Sequence, residues 1–205
     1  MSYIITVSPT DAEGAVLDMY ERQQRHWGYV PNYAKSFSHR PEVMARWGRL
    51  LAEIRRPLDD RTFELVTFAA AVELRHTSCA LAHGKALTHF FSHDEIRAIA
   101  ANEDLGFLGD AEREMVRFAR LVARDAAAVT AADVQRLKDC GVDDGAVFDI
   151  AATAAGRAFF TKVLDAVGSM PDASLGGIAA DLRGPLTVGH PVSTVPDEVM
   201  NPVSD

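Results

Sequence analysis

The sequence predicts an all-α protein. Three observations carry that reading. Apolar residues recur at three- and four-residue steps along most of the chain. Strand-like alternation is nearly absent. Helix-starting residues stand in front of nearly every apolar run.

Thr10, with Glu13 three residues on, forms a capping-box pattern that opens a helix to about Arg25. An aromatic-rich turn follows, His26-Trp27-Gly28-Tyr29-Val30-Pro31-Asn32-Tyr33, in which Pro31 can start a short helix. Pro41 suits the first turn of a helix running to Arg55, with Val43, Met44, Trp47, Leu50, Leu51 and Ile54 on its apolar positions, and Pro57 ends it. Asp59 or Asp60 caps a helix over 61–74 that is apolar on nearly all sides, the mark of a buried helix. Thr77 or Ser78 is the expected cap of the next helix, which ends near Phe91. Ser92 and Glu95 signal another start. Further helices are expected over 110–124, 131–140 and 144–167, with Thr130 and Asp143 as caps and Gly141 just past a helix end.

Residues 1–168 therefore read as a single helical domain. From 169 to 205 the character changes. Pro171, Pro185, Pro191, Pro196 and Pro202 interrupt any helix, and glycines accompany them. This poorly helical tail is expected to be either a frayed end or an arm laid on a neighbouring subunit.

Composition excludes several functions. The chain has 205 residues, 48% of them hydrophobic and 24% charged, as in an ordinary globular protein with its own core. A net charge of −8 argues against a nucleic-acid surface. No basic run suggests membrane attachment, no stretch approaches the ~20 apolar residues of a spanning helix, and the N-terminus lacks a signal-peptide pattern. The two cysteines, Cys79 and Cys140, cannot form a disulfide framework, so a reducing, cytoplasmic setting is expected.

The chemistry concentrates at Arg75-His76-Thr77-Ser78-Cys79-Ala80-Leu81-Ala82-His83-Gly84. His76, Cys79 and His83 are spaced H-x-x-C-x-x-x-H, and at about 100° per residue they fall within about 60° of a helix face. A thiol in a first helical turn is stabilised as the anion, and a neighbouring imidazole either adds positive charge or accepts its proton. A structural cysteine, packed as a small hydrophobe, has about equal standing. Glu64 is the second anomaly, a carboxylate in the middle of the buried helix. It requires a partner or a proton. Arg61 or Arg157 would serve structurally, whereas a Glu64–His83–Cys79 relay would be functional. These residues are also acceptable zinc ligands, but the spacing is not a common zinc pattern, and no metal or other cofactor is expected. Trp27, Tyr29, Tyr33 and Phe37 are candidates to line a pocket. His26, His39, His89 and His93 read as loop, surface or capping residues.

These features resemble the alkylhydroperoxidase D / carboxymuconolactone decarboxylase superfamily over roughly residues 28–168. The resemblance rests on Gly28-Tyr29-Val30-Pro31-Asn32, on Ser38-His39-Arg40-Pro41-Glu42-Val43, and above all on Glu64 followed by Cys79 and His83-Gly84. A weaker likeness runs from Asp149-Ile150-Ala151-Ala152 to Phe159-Phe160. It implies an alkylhydroperoxidase-D-like helical bundle, oligomeric, with the site near subunit contacts. In the peroxidase branch the motif is E-x11-C-x-x-C-x-x-x-H. Cys79 then corresponds to the peroxide-attacking thiol, and Glu64 and His83 to its proton relay. His76 stands where the first cysteine would be, so the motif is degenerate and no disulfide can form within it.

Three functions follow. The first is a peroxidase-related oxidoreductase acting on a small hydroperoxide through Cys79, with His83 and Glu64 moving protons, His76 tuning the thiol and an external thiol as reductant. The second is a non-redox lyase or isomerase using Glu64 and His83 on a small carboxylic acid or lactone. The third is a non-catalytic small-molecule-binding oligomer. A homo-oligomer is expected in each case, with neither nucleic acid nor membrane as partner.

Overall fold

The computed structural model describes residues 2–200. Ten α-helices are found there: α1 (Gly14–Trp27), α2 (Asn32–Ser36), α3 (Pro41–Arg55), α4 (Asp60–Glu73), α5 (Thr77–Leu87), α6 (His93–Ala101), α7 (Asp110–Asp125), α8 (Ala131–Asp139), α9 (Asp144–Ala166) and α10 (Ala180–Leu186). Among the described residues there is no strand, only an isolated bridge between Val30 and Glu198. No described helix is long and apolar enough to cross a membrane.

Helix α4 is the axis of the bundle. Leu65 through Val72 are all buried, and α5, α7 and α9 pack around them. This is why its sequence is apolar on every side. Asp59 caps it, accepting from the Thr62 N–H at 2.8 Å. The caps expected at Ser92, Thr130 and Asp143 also form. Gly141 takes the left-handed conformation, φ +86°, just past α8.

The Thr10–Glu13 capping box does not form. Pro9 opens a short 3-10 turn, the Ser8 hydroxyl bonds Asp11, and α1 starts only at Gly14. Helix α3 also differs from its apolar pattern. Met44 is buried, but Val43 is 40% and Leu50 56% exposed, because α3 lies at the edge of the bundle against α9 and α1.

Through residue 200 the tail packs on its own chain. Leu182 and Leu186 of α10 are buried against α5 and α6. Beyond α10 the backbone crosses the α4–α5 corner so closely that a Cβ on Gly189 would collide with the Arg75 carbonyl oxygen. Further on, the Val30 N–H donates to the Glu198 carbonyl at 2.8 Å. Long-range contacts of this kind leave no periodic signature in a stretch rich in Pro and Gly. Residues 201–205, the last part of the expected tail, lie outside the described residues.

Truncating Leu186 to Ala should cost about 2–5 kcal/mol, the usual range for a fully buried leucine. Urea unfolding would measure it. A loss below about 0.5 kcal/mol, typical of a surface change, would mean that the tail does not pack as described.

Candidate functional site

A sharp corner joins α4 to α5. Arg75 takes a left-handed conformation, φ 56°, and the His76 N–H returns to the Ala71 carbonyl at 3.0 Å. His76 itself is extended and is the N-cap of α5, in place of the expected Thr77 or Ser78. Its Nδ1 accepts from the Cys79 N–H at 3.3 Å. Thr77 instead accepts the Gly189 N–H of the C-terminal strap, residues 169–200, at 2.9 Å. Cys79 thus lies in the first turn of α5, where unpaired N–H groups favour a negative sulfur.

Glu64 and His83 meet directly. The Glu64 Oε2 to His83 Nδ1 distance is 2.6 Å, and both side chains are mostly buried. The carboxylate therefore fixes the Nδ1–H tautomer and leaves Nε2 as the acceptor. Burial, with Arg157 adding to it, holds His83 below the ordinary imidazole value despite Glu64. Its lowered value favours the neutral ring. Neither arginine considered for Glu64 pairs with it. Arg61 bonds Glu112 at 2.6 Å.

Arg157 goes to the sulfur. This residue of α9 is 4% exposed, and its Nη1 donates to Cys79 Sγ at 3.6 Å. Its Nε has no partner. No carboxylate pairs with Arg157 among the described residues, so the sulfur is its nearest source of negative charge. Burial pushes the Cys79 thiol up, but the charges of His76 and Arg157 and their hydrogen bonds outweigh it, leaving the thiol below its ordinary value. Burial opposes a charge on His76, and a Cys79 anion and Asp165, 3.8 Å away, overcome that and raise it. A ring protonated at both nitrogens cannot accept the Cys79 N–H. Capping by neutral His76 and a full imidazolium–thiolate pair are therefore alternative states.

Cys79, Glu64, His83 and Arg157 line one cavity of about 410 Å³. Trp27, Tyr29 and Tyr33 line it as the sequence suggested, together with Trp47 and Phe160, whose rings stack 4.3 Å apart. Phe37 is instead core, stacked on Phe160. Asp172 of the strap closes another side. Burial raises its carboxyl to about 6, and it accepts the Asn32 N–H at 2.7 Å. No hydrogen bond joins His83 to Cys79. A proton passing between them must cross the cavity or a molecule in it. Cys140, half-buried at the end of α8, is not part of the lining. Among the described residues no group of three His, Cys, Asp or Glu side chains is placed to hold a metal ion, so the four considered as zinc ligands do not converge. Of the remaining histidines, His26 sits at the rim, His39 contacts the Ile5 carbonyl and His93 pairs with Asp181.

The role of Arg157 was missed from the sequence. Its signal is the one that exposed Glu64: a charge among apolar and small residues, Ala154-Ala155-Gly156-Arg157-Ala158-Phe159-Phe160, on a helix whose inner face is core.

No family model matches the chain, and no curated protein matches it in sequence. Solved structures do. An uncharacterised peroxidase-related protein from Silicibacter sp. TM1040 aligns with TM-score 0.70 and 22% identity, covering 84% of this chain and 93% of its own. The alkylhydroperoxidase AhpD core protein from Ralstonia eutropha JMP134, also peroxidase-related, gives 0.69 and 20%, covering 85% and 94%. The debrominase Bmp8, as a Cys-to-Ala variant in complex with 2,3,4-tribromopyrrole, gives 0.68 and 17%, covering 91% and 98%. Agreement of this extent at such low identity establishes architecture: the chain has the alkylhydroperoxidase-D-like all-α fold.

Proposed function

We propose that this protein is a thiol-dependent oxidoreductase of peroxidase type, acting on a small hydroperoxide at Cys79. The observation that carries the reading is the Cys79 sulfur on the cavity wall with the Arg157 guanidinium 3.6 Å away. An anionic sulfur is the attacking species, and a buried cation without a carboxylate partner favours it. The peroxidase-related relatives and the debrominase lend support through the fold they share.

In the first step the thiol proton is carried across the cavity, through the bound hydroperoxide, to His83 Nε2, and Glu64 steadies the charged ring. The thiolate attacks the terminal oxygen of ROOH and the O–O bond breaks. Sulfur is oxidised to sulfenic acid, and the departing alkoxide leaves as ROH with the proton from His83. With His76 in the first motif position, reduction falls to an external thiol. One thiol converts Cys79–SOH to a mixed disulfide and water, and a second releases Cys79–SH and RSSR. Arg157 holds the negative sulfur before attack, and His76 tunes it.

The Glu64–His83 pair favours a second reading. A neutral imidazole fixed by a carboxylate at 2.6 Å is also a general base for a lyase or isomerase acting on a small carboxylic acid or lactone.

Cys79→Ser should abolish peroxide consumption, while His83→Ala should slow it about 10²-fold or more, as loss of a proton-transfer group does. Lyase or isomerase turnover that survives in Cys79→Ser and vanishes in His83→Ala would transfer the function to the second reading.

The thiol also has a definite pH signature. Its value is lowered, so the thiolate persists as pH falls through the ordinary thiol range of about 8.5 and disappears only at lower pH. Alkylation of Cys79 followed against pH, in a Cys140→Ser background, should have its midpoint below that range, and Arg157→Met should move it up. An ordinary midpoint unaffected by Arg157→Met would exclude an activated sulfur.

The active form is proposed to be a homo-oligomer that buries the exposed apolar residues of the packed helices α3 and α9: Val43, Leu50, Phe148 and Phe159. Light scattering should give a multiple of the monomer mass, and Leu50→Asp with Phe159→Asp should return the monomer. A monomeric wild-type chain would overturn this.

A further inference from the structure

A second cavity, of about 540 Å³, lies beside the first and shares Trp27, Tyr29, Ala82 and Leu175 with it. The two run along adjacent faces of α5. Cys79, Ala82, His83 and Ala86 line the first, and Ala82, Lys85 and Thr88 line the second, so Ala82 is the common wall. The part of the strap from Ser174 to Leu182 forms the opposite side. Lys85 is exposed and has no ion-pair partner among the described residues, whereas His93, on the same wall, is tied to Asp181 at 2.7 Å. Lys85 is therefore the uncompensated charge of this cavity. It lies six residues beyond Cys79, a rise of about 9 Å along the helix.

The proposed cycle needs a thiol that reaches the Cys79 sulfur in line with its S–O bond. Cys79 is 5% exposed. The cavity that Cys79 lines, about 410 Å³, has room for a small thiol. Such a molecule, its sulfur over Ala82, would extend naturally toward Lys85.

We infer that the cavity at Lys85 admits a low-molecular-weight anionic thiol, peptide-like in length, which regenerates Cys79. Its carboxylate sits on Lys85 and its sulfur reaches over Ala82 to the oxidised cysteine. The inference rests on the proposed redox role of Cys79, and it names the class of reductant and the place where it docks.

The test does not depend on peroxide turnover. In a Cys140→Ser background, Cys79 is capped as its methyl disulfide with methyl methanethiosulfonate. Loss of the methylthio group is then followed by mass spectrometry with glutathione, an anionic tripeptide thiol, and with cysteamine, a cationic one. Each rate is divided by the rate of the same thiol with a free methyl disulfide. The normalised preference for glutathione should be about tenfold and should shrink with added salt. Lys85→Glu should abolish it and Lys85→Met should leave an intermediate value. Because Lys85 is exposed, neither variant disturbs the core. A ratio near one, a ratio unmoved by Lys85→Glu, or faster release by thioredoxin than by either small thiol overturns the inference. A peroxide pulse on uncapped protein separates the two ideas. A Lys85-dependent preference without Cys79 oxidation sinks the peroxidase reading and leaves an anionic-thiol site. Oxidation without the preference sinks the docking site and leaves the peroxidase reading.

Discussion

The α4–α5 corner is the constraint on which the rest depends. A left-handed Arg75 and an extended His76 reverse the chain within two residues. That reversal sets the rotational phase of α5 against α4, and the phase decides whether Glu64 meets His83. The corner is held from outside by the C-terminal strap, where the Arg75 Nε–H donates to the Val188 carbonyl at 3.2 Å and Gly189 presses against the Arg75 carbonyl. Farther along, α5 approaches its neighbours so closely that a Cβ on Gly84 would come within 2.5 Å of Leu186 and 3.1 Å of Phe68. A side chain after His83 would therefore have to displace Leu186 and crowd Phe68.

Around this corner the electrostatics follow from enclosure. A charge taken out of water needs a counter-charge or loses its proton. Glu64 finds His83. Arg157 finds a sulfur instead of a carboxylate, and that choice bears on reactivity more than stability does. Two carboxylates would satisfy a guanidinium better, but they would also remove its pull on the thiol. His76 belongs to the same balance. As a cap it must be bare at Nδ1, and as a cation it must give up the cap. Helix geometry and thiol chemistry therefore compete for one nitrogen, and protonating His76 at Nδ1 costs the first turn of α5 its capping hydrogen bond.

The sequence revealed local order well. The caps at Asp59, Ser92, Thr130 and Asp143, the left-handed Gly141 and the buried α4 all follow from residues close together in the chain. Glu64, Cys79 and His83 stood out because each is chemically out of place in its own helix. What escaped depends on distance along the chain. Histidine is a rare N-cap, so Thr77 and Ser78 drew attention away from His76, and Thr77 proved to be reserved for Gly189, 112 positions on. Arg157 reaches Cys79 across 78 positions. The strap reads as unstructured because its order comes from single close contacts, such as Gly189 on Arg75 and Asp172 on Asn32, and not from a repeating pattern.

The strap also makes the cavity a cavity. Ser169, Met170, Asp172 and Leu175 form one of its walls, and without them the aromatic side chains of the α1–α2 turn would face water. Its tether is a carboxyl that burial raises to about 6. Because that folded value lies above the ordinary 3.8, the stabilisation linked to Asp172 is fully present in acid and is lost as pH rises through about 6. At neutral pH the ionised carboxylate stays in place at a cost, which the Asn32 N–H at 2.7 Å and the Tyr29 hydroxyl at 3.5 Å reduce. The Asp172 contribution to this wall is thus smaller at neutral pH than in acid. The opposite wall, built on α4 and α9, carries Glu64 and Arg157 in the core of the bundle.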